Sequence, residues 1–189
     1  MNPPFPIHAQ RTHAVRRLAQ AAAIACVLAC AGCSAVRDFQ ARRWTDRAVK
    51  ASTQGRPDEA RAYLAQAVAT SPTLALAWVE LAVLAIEARD APSAIDALHE
   101  ALRHRPDSYR ARHFLGVAYM MAGNHQQARS TFHEVLWARP DFAPTWYALG
   151  IIHEQEGDAR GALECYLRGF ASRETSLLLN RIEKILIQS

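Results

Sequence analysis

Eight histidines and four cysteines are the side chains of this 189-residue chain best suited to hold a metal or attack a carbon. His99 and His133 are each followed by a glutamate, and His153 stands beside Glu154 with Glu156 close by. Imidazole next to carboxylate is the raw material of a metal site or of general acid–base catalysis. The spacing argues against both. A metal-binding helix carries two histidines four residues apart on one face. No such pair occurs, and no closed ligand set can be assembled. There is no G-x-x-x-x-G-K phosphate loop and no G-x-S-x-G elbow either. His99 and His133 lie 34 residues apart, so they read as one outward-pointing position of a repeated unit. Glu154 and Glu156 fall at the end of a predicted helix, where charge is solvated. Neither an enzymatic activity nor a metal or other cofactor is expected.

The cysteines divide in two. Cys165 lies beside Tyr166 on a predicted helix with nothing near it to lower its pKa, and it reads as a small packing residue. Cys26, Cys30 and Cys33 close an N-terminal stretch with a basic part ending at Arg17 and an apolar run from Leu18 to Ala29. That run is too short and alanine-rich to span ~30 Å of hydrocarbon comfortably. Basic, apolar and small residues in that order read as a secretory signal over 1–33. Leu28-Ala29-Cys30-Ala31-Gly32-Cys33 resembles the lipobox of bacterial lipoproteins. The resemblance implies that Cys33 is acylated and becomes the new N-terminus, with Cys30 the second choice. Ser34 after it implies, by the same resemblance, the periplasmic face of the outer membrane. The alternative is an uncleaved inner-membrane signal anchor. With the signal removed only Cys165 remains, and one thiol makes no internal disulfide.

The same division explains the charge. The net +4 includes Arg11, Arg16 and Arg17 of the signal, and residues 33–189 carry 19 basic against 18 acidic side chains. The basic balance belongs to targeting, and no nucleic-acid partner is expected.

The elements that position these residues are set by Pro72, Pro106 and Pro140, spaced 34 apart. Proline cannot continue a helix, and it moves the residue before it out of helical geometry. A fixed period of that length with helical content between the marks is the signature of a stacked helix-pair array. With these prolines at position 32, units begin at Ala41, Ala75, Tyr109 and Ala143. Position 4 is then Trp44, Trp78, Arg112 and Trp146, and position 7 is Arg47, Leu81, Leu115 and Leu149. Position 8 is Ala48, Ala82, Gly116 and Gly150; position 20 is alanine in all four units (Ala60, Ala94, Ala128, Ala162); position 24 is Leu64, Leu98, Phe132 and Tyr166. Gly55, Gly123 and Gly157 at position 15 suit a left-handed helix end, and Asp90, Asn124 and Asp158 after that position suit helix caps.

These columns resemble the tetratricopeptide repeat. The resemblance implies an all-α solenoid of four helix-turn-helix units, 41–74, 75–108, 109–142 and 143–176. A short tether over 34–40, reaching at most ~25 Å, precedes it. A capping helix over 177–189 follows, with Leu178, Ile182, Ile185 and Leu186 on its inner stripe and Leu177, Leu179 and Ile187 partly off it.

In such arrays the first helices line a concave groove. The resemblance therefore places Val49, Val79, Val83, His113, Val117, Met120, Tyr147 and Ile151 in a partner-binding groove. Val49, Val83, Val117 and Ile151 share position 9, and packing against the second helices is an equal reading for them. The lysines and asparagines by which chaperone-binding members clamp a carboxylate are absent. An aliphatic groove suits an apolar helix or extended segment of a protein partner. The combination is similar to the repeat lipoproteins of type IV and tight-adherence pili, which implies a scaffold for an envelope machine. The alternative is an adaptor recruiting peptidoglycan-processing enzymes.

Overall fold

The computed structural model describes residues 34–172 and 176–188. The stretch expected as a signal, with Cys30 and Cys33, and also Glu174 lie outside the described residues. The described chain is all helix and turn. Helix α1 covers residues 34–53, followed by α2 (Pro57–Thr70), α3 (Ala75–Glu87), α4 (Ala91–His104) and α5 (Tyr109–Met121). Then come α6 (His125–Ala138), α7 (Ala143–Gln155), α8 (Ala159–Ser172) and α9 (Ser176–Gln188). Odd and even helices up to α8 pair antiparallel into four units. Each second helix also meets the first helix of the next unit, and α3 touches α5 as α5 touches α7.

Every first helix ends alike. The amide of position 15 donates to the carbonyl three residues back, and the next amide to the carbonyl five back, as in Gly123 to Met120 and Asn124 to Tyr119. This is the Schellman closure, which needs a left-handed residue at position 15. Gly55, Gly123 and Gly157 supply it with φ of 72°, 78° and 79°. In unit two a non-glycine residue, Arg89, is held at φ 61°. The caps follow the expectation at two of three places. Asp90 accepts from the Ser93 amide (3.1 Å) and Asp158 from the Gly161 amide (2.9 Å). Asn124 makes no side-chain cap bond, so α6 starts without one.

The core is a row of small clusters along the array, two at the first joint and one at each later joint, with no central mass. Positions 8 and 24 face each other inside a unit, and their sizes compensate. Ala48 meets Leu64 and Ala82 meets Leu98, whereas Gly116 faces the Phe132 ring and Gly150 the Tyr166 ring. A Cβ at either glycine would be driven into the aromatic ring.

Positions 4 and 32 are also partners. The indole N–H of Trp78 donates to the Pro72 carbonyl (2.8 Å), and that of Trp146 to the Pro140 carbonyl (2.9 Å). Where tryptophan is missing, the Arg112 guanidinium donates to the Pro106 carbonyl (2.6 Å). A latch thus closes each of the three joints between units. Trp44 has no preceding unit; it stacks on Tyr63 (5.8 Å) under the guanidinium of Arg47, which explains a cation where the other units have leucine.

Both ends add to the expectation. Residues 34–40, expected as a tether, are helical and lengthen α1. They contain neither glycine nor proline, and the Ser71 hydroxyl bonds to Asp38, tying this extension to the end of α2. At the other end Ile182 and Ile185 of α9 pack with Ala143, Ala162 and Tyr166, and Arg181 pairs with Glu154 of α7 (3.0 Å). Leu179 and Ile187 face outward. Leu177, Leu178 and Leu186 lie outside the described side chains.

Candidate functional site

Because successive first helices touch, their position 9 residues form one line along the array. Val49 is 42% exposed, and Val83, Val117 and Ile151 are half-buried. Met120 and Tyr147 are half-buried beside them. Each side chain packs its base on the core and shows a flank. Val117 and Met120, for example, rest on the cluster of Phe132, Leu149 and Ile152. Position 9 thus packs against the core and keeps an open flank as well.

Position 5 departs from the expectation. Val79 and His113 are buried, at 5% and 8% exposure, and do not line the open face. The reason is the joint between units. Val79 packs among Ala82, Ala111 and Leu115. His113 reaches across to Thr145, with Nδ1 and Oγ1 3.0 Å apart, and lies edge-on to Phe142. Burial pushes the His113 pKa down to about 4, so the ring is neutral at physiological pH. Position 5 is a coupling position; only in unit four, at Tyr147, does it keep a partly open flank. Ile86, Met121 and the exposed Leu76 extend the apolar face on the first helices instead.

Two clefts hold none of the position 9 residues. One, of about 720 Å³, has an apolar floor of Trp78, Leu81 and Ala85 and a rim of Arg61, Asp90, Asp96, His99 and Glu100. The other, of about 420 Å³, opens between the start of α3 and the loop before α5, with Val79 at its floor. Neither was legible in the sequence, since each is made at a joint by residues of different columns.

The groups that invited a chemical reading are distributed as structural partners. His99 and His133 are exposed, with the Tyr119 hydroxyl 3.3 Å from His99 Nε2. His153 Nδ1 lies 2.9 Å from Asp158, and Glu154 holds Arg181. The Arg129 fork grips Glu156 with two bonds, one of 2.7 Å, joining α6 to the end of α7. Its guanidinium holds the Glu156 carboxyl below the usual carboxylate range. Cys165 is buried, and burial pushes its thiol up to about 11. Among the described residues no three potential metal ligands come together, and no helix is long and apolar enough to cross a membrane.

No curated protein matches the sequence. Similar architectures occur among solved structures. The structure titled for functional characterisation of pilF of Pseudomonas aeruginosa superposes with a TM-score of 0.72 at 17% identity, over 80% of this chain and 70% of that one. The thermophilic repeat protein TTC0263 of Thermus thermophilus gives 0.70 at 17% identity, over 78% and 82%. In the APC/C hetero-tetramer Cut9-Hcn1 the values are 0.69 and 17%, over 76% of this chain but only 29% of the other. At these identities the likeness is one of fold. The family model described as the tetratricopeptide repeat matches residues 51–107 and 85–150, together more than half of the chain. With its four helix pairs and its repeated turns, the chain belongs to the tetratricopeptide repeat family.

Proposed function

We propose that the protein is a lipid-anchored, periplasm-facing scaffold that binds an apolar segment of a protein partner along its first helices. The observation that carries this reading is the continuous aliphatic line of Val49, Val83, Val117 and Ile151 on neighbouring helices, flanked by Met120 and Tyr147. Apolar side chains at helical spacing accept one face of an amphipathic helix or the alternate side chains of an extended strand. Methionine adapts to irregular surfaces, which suits a groove that closes on its ligand. The lipobox-like segment ending at Cys33 supports the anchor, with Cys30 the second choice and an inner-membrane signal anchor the alternative. Assembly of an envelope machine such as a pilus or secretion system is the role that fits an anchored array. Recruitment of peptidoglycan-processing enzymes is the other reading, favoured if the captured partner is a hydrolase.

The test is photo-crosslinking in cells with a probe at Val117, beside probes at His99 on the acidic-rimmed cleft and at Glu134 on an exposed flank of α6. A protein captured from Val117 alone supports the groove. Capture from His99 alone moves the site to the cleft and overturns the proposal.

A further inference from the structure

Helix α1 presents a face that nothing in the array covers. Ala41, Thr45 and Ala48 are buried against the neighbouring helices. Half a turn away, Val36, Phe39, Arg43 and Lys50 share the opposite stripe, flanked by Asp46 and Arg47, and all six are exposed. Val36 and Phe39 are 57% and 62% exposed, an unusual pair of apolar side chains on two successive turns. The stripe is sorted along the axis. Its apolar residues sit at the end that follows Cys33, and its cations lie further along. Across α1 there are five basic residues against Asp38 and Asp46, and Asp38 is bonded by the Ser71 hydroxyl. An apolar edge beside a basic stripe, on a helix too charged to cross a bilayer, is the pattern of a helix lying in a lipid interface.

We infer that this face of α1 rests on an anionic phospholipid surface. Val36 and Phe39 sit at the boundary of headgroups and acyl chains, and Arg43, Arg47 and Lys50 lie among the lipid phosphates. The inference rests on acylation of Cys33 as proposed above. Since the chain is helical from residue 34, Phe39 is held within ~9 Å of the acylated residue along the helix axis. That distance leaves the face little freedom to leave the surface. A second copy of the chain suits the face less well, because two such stripes would bring like charges together. With α1 flat on the lipid, the four units are stacked away from the membrane and the aliphatic line of the first helices stands clear of it.

The test uses the full chain isolated from membranes and incorporated into vesicles of phosphatidylcholine alone or with phosphatidylglycerol. A spin label is placed through Phe39→Cys or, as comparator, His99→Cys; the buried Cys165 thiol does not compete. The label at 39 is expected to be shielded from an aqueous nickel complex and open to oxygen on anionic vesicles only, while the label at 99 stays aqueous. Arg43→Gln and Lys50→Gln should each weaken the shielding about fivefold, with helicity by circular dichroism unchanged. If palmitate labels the chain but position 39 is as accessible as position 99, the inference falls and the anchor stands. If palmitate does not enter, the anchor reading falls and this orientation with it. Equal shielding on both vesicle types with disulfide dimers of the Phe39→Cys chain would assign the face to a second copy.

Discussion

Two side chains carry strain or burial with a measurable consequence. Arg89 occupies the left-handed site that glycine fills in the other three units. A non-glycine residue there costs of order 1 kcal/mol. Arg89→Gly should therefore raise the urea midpoint, by about 0.5–1 kcal/mol of stability at unchanged m-value. A lower midpoint would show that the arginine side chain contributes more than its backbone loses. His113 gives a pH dependence. Its folded pKa of about 4 lies below the ordinary value of 6.5, so the unfolded chain binds the extra proton first. The stability tied to this ring is complete above pH 6.5 and is lost as pH falls toward 4, by roughly 3 kcal/mol at the limit. Subtracting the denaturation profile of His113→Gln from that of the parent should isolate a slope confined to this window. An identical slope in the variant would place the titration elsewhere. The sequence placed His113 on a groove column and could not show that its neighbour in space is Thr145, 32 positions on. The turn chemistry was legible, because glycine, aspartate and proline act on their own few residues.

At the scale of helices, the paired columns are the main finding. Alanine with leucine in units one and two, and glycine with an aromatic ring in units three and four, fill the same space in two ways. Gly150→Ala should cost ~1–3 kcal/mol through overpacking against Tyr166. Adding Tyr166→Leu, which recreates the pairing of Ala82 with Leu98, should recover part of that loss. The double-mutant cycle then gives a coupling of about 1–3 kcal/mol, and strict additivity would refute the pairing. Both columns were visible in the sequence, yet their dependence on each other was not, because it exists only where two helices cross. The tether is a similar case. Residues 34–40 lack the repeat pattern, and the pattern alone places the first helix at Ala41. Their helicity comes from the absence of breakers and from the bond between Asp38 and Ser71. Of the candidate groove, the position 9 line keeps an exposed flank, and the position 5 line is given up to the joints.

For the molecule as a whole, stability is a sum over joints, so the ends should open before the middle. Amide exchange followed by mass spectrometry should find α9 least protected, well before α5 and α6; equal protection along the chain would contradict the joint-by-joint picture. The latches between positions 4 and 32 add a direction to this. Three interior joints are closed by Trp78, Arg112 or Trp146 on the carbonyl of a proline. At the last joint the sequence has Glu174 at the proline position and Asn180, with a much shorter side chain, where the other joints have tryptophan or arginine. In mechanical terms the described units are a chain of links with three latches. Tension along its axis should peel it from the C-terminus, with a first short release matching the 13 residues of α9, and leave the remaining links shut.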